Sequence, residues 1–219
     1  GAETPVGLYL ERSLELVVGI LGVLKAGGVY VPLETSQPAE RLAFLLADAQ
    51  VPLLLSRSEL VPSLPAGERR GDLCLDRLAE AMAAESGEDL GLEVSPGQLA
   101  YIIYTSGSTG LPKGSAVPHR SLPGFALGVD YVRFDDVQTL LQHSSISWDA
   151  LTLELWPALL TGGRVVLVAE RLVTAGDLER AIRENGVTTL WLTSSHLNAV
   201  VDEAPHALAG LGQLMTGGE

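Results

Sequence analysis

Tyr101-Ile-Ile-Tyr-Thr-Ser-Gly-Ser-Thr-Gly-Leu-Pro-Lys-Gly114 is the stretch on which the reading of this chain turns. A β-rich run, Leu99 to Thr105, feeds a polar loop from Ser106 to Gly114. Thr105, Ser106, Ser108 and Thr109 supply hydroxyls, Gly107, Gly110 and Gly114 allow backbone N–H groups to turn inward, and Lys113 adds a mobile positive charge. Such a loop suits the phosphates of a nucleotide. It matches neither common glycine fingerprint: a Walker loop needs G-x-x-x-x-G-K-S/T, whereas Pro112 precedes Lys113 and Gly114 follows it, and G-x-G-x-x-G is missing. On residues alone, an ordinary Ser/Gly turn stays open. The chain has two lysines, Lys25 and Lys113. A helix-terminal charge suffices for Lys25, and a phosphate contact is the better explanation of Lys113.

Outward from the loop, short β-rich runs alternate with longer helical ones. Val6 to Leu10, Val29 to Val31 and Val51 to Leu55 read as strands. Ser13 to Ala26, apolar on all sides, reads as a buried helix stopped by Gly27-Gly28. Pro38 to Asp48 places Leu42, Leu45 and Leu46 on one helical face. Residues 57–98 are irregular apart from a helix near Asp76 to Glu85. Downstream, Ser115 to Val117 is a short run and a helix starts near His119. Strands are predicted at Val137 to Leu141, Arg164 to Val168, Val187 to Leu192 and Leu211 to Met215. Helices are predicted at Asp149 to Leu160, Thr174 to Glu184 and Ser194 to Asp202, with Ser194 and Ser195 as caps. This order gives an α/β fold with at least one largely parallel sheet, and its uneven spacing argues against an eight-fold barrel.

Composition narrows the function. With 47% hydrophobic and 19% charged residues over 219 positions, the chain is globular rather than disordered. A net charge of −13 argues against a nucleic-acid binder, whose affinity rests on clustered cations. It leaves room for a small anion held by backbone N–H groups. The single cysteine, Cys74, excludes an internal disulfide and paired-cysteine metal spacing. His119, His143, His196 and His206 show no metal-ligand spacing with carboxylates, and Ser194-Ser195-His196 is no nucleophile elbow. No apolar run is long enough for a bilayer, and the opening Gly1-Ala-Glu-Thr-Pro5 has no basic leader, so a cytoplasmic protein without membrane partners is expected. Both ends read as cut, so a fragment of a longer chain is expected.

The loop Tyr104 to Gly114 resembles the signature phosphate loop of the adenylate-forming enzymes, specifically the amino-acid adenylation domains of non-ribosomal peptide synthetases. Leu24-Lys-Ala-Gly-Gly-Val-Tyr-Val-Pro-Leu33, followed by Pro38-Ala-Glu-Arg-Leu42, looks like the preceding motif of the peptide-synthetase branch. His119-Arg-Ser-Leu122 fits the segment after the loop, and Ser145-Ile-Ser-Trp-Asp-Ala150 with Glu154-Leu-Trp156 and Leu160-Thr-Gly-Gly163 fits the substrate-pocket motif. Leu214-Met-Thr-Gly-Gly-Glu219 fits the approach to the adenine region. Ser115, His143 and Trp148 depart from the usual residues at peripheral positions. The resemblance spans essentially the whole chain and implies a middle piece of a large N-terminal α/β domain, with mostly parallel sheets flanked by helices.

The resemblance also assigns roles. Thr105, Ser106, Gly107, Ser108, Thr109, Gly110 and Lys113 would hold ATP phosphates. The magnesium- and adenine-binding motif, the ribose aspartate and the small C-terminal domain with its catalytic lysine would lie beyond Glu219, so Lys113 is not that lysine. From residues alone, Asp149 reads as a helix N-cap; the resemblance makes it the partner of a substrate α-ammonium. Ala150, Leu153, Trp191, Met215 and Gly217, each an ordinary core candidate taken singly, would line an uncharged side-chain pocket. Such a pocket favours a small or branched aliphatic amino acid such as valine, and His143 would at most line it. The implied reaction joins an amino acid and MgATP into aminoacyl-AMP and pyrophosphate. The aminoacyl group then passes to the phosphopantetheine thiol of a peptidyl carrier domain, with condensation domains as further partners. An acyl- or aryl-CoA ligase and a non-catalytic fragment are the rivals; Asp149 opposes the first, and the isolated fragment is expected to be inactive.

Overall fold

The computed structural model describes residues 1–65, 70–106, 111–168 and 173–218. They fall into two units: residues 1–120 with 146–148, and residues 121–145 with 149–219.

The first unit is built on a parallel sheet whose centre is too apolar to face water. Strand β1 (Pro5–Tyr9) pairs in parallel with β2 (Val29–Pro32) and β3 (Leu53–Ser56). Leu8 and Tyr9 have no exposed surface, as expected for a strand covered on both faces. Helix α1 (Leu14–Lys25) joins β1 to β2 from an N-cap at Ser13, whose Oγ accepts from Leu16 N at 3.3 Å. It ends before Gly27, which takes φ +71° where a side chain would be strained. Helix α2 (Ala39–Asp48) buries Leu42, Leu45 and Leu46 against Tyr9, Val31, Leu33 and Leu54. Beyond β3 lie β4 (Gly71–Cys74) and α3 (Leu75–Ala84). On the other side β5 (Leu99–Ser106) pairs with β2, and β6 (Pro112–Pro118) returns antiparallel to β5, giving the order β4-β3-β1-β2-β5-β6.

The second unit has an all-parallel sheet, in the order β10-β9-β7-β8. Its elements are α4 (Ser121–Leu127), β7 (Thr139–Gln142), α5 (Ala150–Thr161), β8 (Arg164–Leu167), α6 (Ala175–Asn185), β9 (Thr189–Thr193), α7 (Ser194–Glu203) and β10 (Gln213–Gly217). Gly162 and Gly186 end α5 and α6 in the left-handed conformation. Thr174 and Asp177 close a reciprocal capping box on α6. Leu178, Leu190 and Leu192 are buried at the centre of this unit.

The α/β expectation holds, with two open sheets rather than a barrel. Four local readings need correction. Helix α1 is not buried all round: Leu14, Val18 and Leu21 remain 75%, 64% and 37% exposed. Residues 71–74 form a strand inside the segment read as irregular. The polar loop is shorter than Ser106 to Gly114, because β6 begins at Pro112 and reaches Pro118. The cap of α7 is Thr193, whose Oγ1 accepts from His196 N at 3.2 Å, while Ser194 Oγ donates to the Gly218 carbonyl at 2.9 Å. Among the described residues no helix is long and apolar enough to cross a membrane.

Candidate functional site

In the first unit, β5 and β6 form the arms of a hairpin. Thr105 pairs with Lys113 and Ser106 with Pro112. Residues paired across a ladder share one face, so the Thr105 and Lys113 side chains leave the sheet on the same side, both exposed. Lys113 therefore sits on a strand rather than in a loop. The pleat fixes its direction and leaves the long side chain to adapt. Gly107, Ser108, Thr109 and Gly110 lie outside the described residues, as does the side chain of Ser106. Gly114 has a packing reason to be glycine: a Cβ there would stand 3.2 Å from Ile102 and from the Tyr104 ring. The Tyr104 hydroxyl in turn donates to Asp48 Oδ2 at 2.7 Å, anchoring β5 to the end of α2.

In the second unit, the middle of β9 and β10 and the first turn of α5 border a cavity of about 320 Å³. Tyr131, Leu153, Trp191, Leu214, Met215 and Thr216 line it. Trp191 and Met215 are ladder partners, and Gly217 lies two residues further along β10. A Cβ on Gly217 would meet the Trp191 indole Nε1 at 4.0 Å, so glycine keeps the space beside the ring open. Of the predicted pocket residues, Leu153, Trp191 and Met215 come together here, with Gly217 against the indole. Ala150 is buried in α5 and does not line this cavity. Tyr131, in the loop after α4, carries no periodic or motif signal.

Asp149 occupies the N-cap position of α5 without acting as a cap. Its backbone is helical, φ −64° and ψ −23°, and its carboxylate makes no capping hydrogen bond. A capping aspartate needs extended geometry to reach back to the N–H groups. The side chain is exposed, immediately before Ala150 and one turn from Leu153.

Behind the cavity lies a buried polar cluster that no sequence pattern assembles. Glu154, 2% exposed on α5, receives Ser144 Oγ at 2.6 Å, Ser144 N at 3.0 Å, His143 N at 3.2 Å and Gln142 Nε2 at 3.3 Å. His143 Nε2 lies 3.3 Å from Glu154 Oε1 and 2.8 Å from the Trp191 carbonyl. Its ring meets that of His196 edge-on at 5.9 Å, and His196 Nε2 bonds the Val173 carbonyl at 3.0 Å. His143 is thus a buried strut rather than a lining residue. The available signal is a lone carboxylate inside Leu151-Thr-Leu-Glu-Leu-Trp156, an otherwise apolar helical run.

Burial pushes the Glu154 carboxyl up to about 7, against the opposing pull of its hydrogen-bond donors. Burial, then the neighbouring His143, hold His196 below its ordinary value. The folded chain therefore keeps a proton on Glu154 at pH values where the unfolded chain has released it, so stability falls as pH rises from about 5 to about 8. This contribution amounts to about 2 kcal/mol over that interval. Glu154→Gln, which cannot ionise, is expected to lack it. Urea unfolding of both proteins at several pH values measures the difference, and parallel pH profiles would count against it.

The chain belongs to the AMP-binding enzyme family. That family's profile matches residues 1–219. This AMP-binding chain is 44% identical over 214 residues to one of the linear gramicidin synthase proteins of Brevibacillus parabrevis, covering 98% of the chain and 4% of that protein. It superimposes on the N-terminal subdomain of Klebsiella oxytoca NpsA in complex with 3-hydroxybenzoyl-AMSN. The TM-score is 0.89 at 29% identity, over all of this chain and 54% of that one. An artificially fused adenylation-PCP di-domain of the same organism, NpsA-ThdA, matches at TM-score 0.90 and 29% identity, over all of this chain and 43% of that one. The chain thus spans a small part of the peptide synthase it matches and about half of these structures.

Among the described residues of this AMP-binding chain, no group of three or more His, Cys, Asp or Glu side chains is arranged to hold a metal ion. The hairpin arms offer the Thr105 hydroxyl and the Lys113 ammonium to an anion, and the cavity combines the apolar side chains of Leu153, Leu214 and Met215 with the Tyr131 and Thr216 hydroxyls and the Trp191 indole.

Proposed function

We propose that this chain is the segment of an amino-acid adenylation domain that binds ATP phosphates and selects the amino acid. The activated substrate would be small or branched aliphatic, such as valine, converted to aminoacyl-AMP with release of pyrophosphate. The observation that carries the reading is Asp149: an exposed carboxylate that caps nothing, one turn before Leu153 in the wall of an uncharged cavity. An ammonium entering a closing pocket needs an opposite charge to offset its desolvation, whereas an aryl or fatty acid has no such need.

In this reading a carboxylate oxygen of the amino acid attacks the α-phosphorus of ATP. The bond from that phosphorus to the bridging oxygen breaks, and pyrophosphate leaves with its electron pair. Thr105 and Lys113, with Ser106, Gly107, Ser108, Thr109 and Gly110, hold the β- and γ-phosphates and spread the departing charge. Asp149 orients the amino acid through its ammonium, while Leu153, Trp191, Met215 and Gly217 meet its side chain and Ala150 shapes the helix start. ATP would enter as its magnesium complex, the metal ion neutralising phosphate charge alongside Lys113. A carrier domain's phosphopantetheine thiol would take the aminoacyl group afterwards. The 219-residue chain alone is expected to bind without appreciable turnover.

The test places residues 1–219 in the matching segment of the linear gramicidin synthase protein and follows amino-acid-dependent ATP–pyrophosphate exchange. Valine and its aliphatic neighbours are expected to drive exchange above acidic, basic and aryl acid substrates. Exchange driven by an aryl acid alone would instead favour the acyl- or aryl-ligase reading.

A further inference from the structure

Among the described residues Glu154 is the only buried acidic side chain. A leucine or methionine would fill the same space without the desolvation penalty of a carboxylate. What an apolar residue could not do is gather the donors of residues 142–144, at and just after the end of β7, onto α5. One Glu154 oxygen accepts from the backbone N–H groups of His143 and Ser144, directly after β7. The other faces His143 Nε2, which lies 2.8 Å from the Trp191 carbonyl. A carbonyl only accepts, so Nε2 carries the hydrogen and donates it to the Trp191 carbonyl, with the Glu154 oxygen 3.3 Å from the same nitrogen. Helix α5 is thereby connected, through one imidazole, to the strand that bears the indole.

We propose that Glu154 and His143 are positioning residues that tether the Trp191 carbonyl to α5, thereby fixing how far the indole projects into the cavity and which substrate side chains fit. The proposal rests on the reading of this cavity as the side-chain pocket. Two of its walls, Leu153 on α5 and Trp191 on β9, then belong to one rigid piece, because Leu153 immediately precedes Glu154. The ladder pairing of Trp191 with Met215 extends the same constraint to β10. A purely structural cluster would stabilise the unit without governing the indole.

The chain contains three tryptophans, so Trp148→Phe with Trp156→Phe leaves Trp191 as the single tryptophan, excited selectively at the red edge beyond tyrosine absorption. In that background His143→Leu is expected to shift Trp191 emission to the red and raise acrylamide quenching about twofold, as for a locally opened segment, with the far-ultraviolet dichroism retained. His143→Gln, whose amide N–H can still donate to the carbonyl, is expected to restore most of the original signal. A folded His143→Leu protein with unchanged Trp191 emission overturns the tether. Should His143→Leu fail to fold, Glu154→Gln serves in its place. Its amide oxygen keeps the His143 and Ser144 N–H groups, while its NH2 opposes His143 Nε2–H. It must move Trp191 in the same direction, and no movement overturns the tether.

Selectivity is read separately, as the ratio of dissociation constants for valyl- and phenylalanyl-sulfamoyladenosine. That ratio is expected to shift about tenfold toward the larger side chain in His143→Leu. A displaced indole with an unchanged ratio overturns the selectivity claim and the assignment of the cavity to the side chain. A fixed indole with a changed ratio overturns the tether and leaves that assignment standing.

Discussion

Replacing Asp149 with alanine is expected to weaken amino-acid binding about a hundredfold while leaving the folded chain almost as stable as before. The two halves of this expectation have one cause. Because the carboxylate caps nothing and is exposed, the helix start loses no hydrogen bond when it is removed, and surface changes of this kind usually cost within about 0.5 kcal/mol. An ammonium brought into a pocket without its counter-charge loses far more. Breaking a buried ion pair costs roughly 3–5 kcal/mol. The exposure of Asp149 places the loss at the lower end, about 3 kcal/mol, which corresponds to about two decades of affinity.

Competition binding with valyl-sulfamoyladenosine measures this loss. The matching ligand built from 2-hydroxyisovalerate, which has no ammonium, supplies the control. The hydroxy-acid ligand should bind the alanine variant and the parent nearly equally. A uniform loss for both ligands would mean that residue 149 shapes the pocket without reading charge. Asp149→Asn, which retains the size but not the charge, is expected to behave like alanine.

How much of this is legible in sequence depends on the range of the interaction. The parallel strands, the turns at Gly27, Gly162 and Gly186, and the Leu42, Leu45 and Leu46 face of α2 follow from local chemistry, and all are present in the fold. The 106–114 loop is shorter than it reads, because Lys113 and Gly114 carry no strand propensity and enter β6 only by pairing with Thr105 and Tyr104. The β4 strand is hidden for the same reason: Gly71-Asp-Leu-Cys74 is ordered by its ladder with β3. The buried cluster is the least legible feature. Glu154 and His143 are eleven residues apart, and the Trp191 carbonyl lies 48 residues beyond His143. No periodicity marks such a contact, and a backbone acceptor leaves no trace in side-chain identity. Leu153, Trp191 and Met215 emerge together only through the resemblance, since each taken singly is an ordinary core residue.

Trp191→Ala is expected to invert the size preference of the site rather than weaken it uniformly. Loss of the indole enlarges the 320 Å³ cavity by on the order of 140 Å³. The vacated space adjoins Gly217, which adds no side chain to refill it, and Met215, whose flexible thioether can close only part of it. A branched aliphatic side chain then loses one wall of contact, worth roughly 1–3 kcal/mol, or about 10- to 200-fold. A phenyl ring can occupy the place of the indole and recover the buried area. The valyl-to-phenylalanyl ratio of dissociation constants should therefore change by about two decades in favour of phenylalanyl, measured with the sulfamoyladenosine pair. Proportional weakening of both would mean that Trp191 supports the strand without facing the ligand. The inversion distinguishes the two because the area lost and regained belongs to the ligand alone, and a general loosening of β9 would penalise every side chain in the same direction.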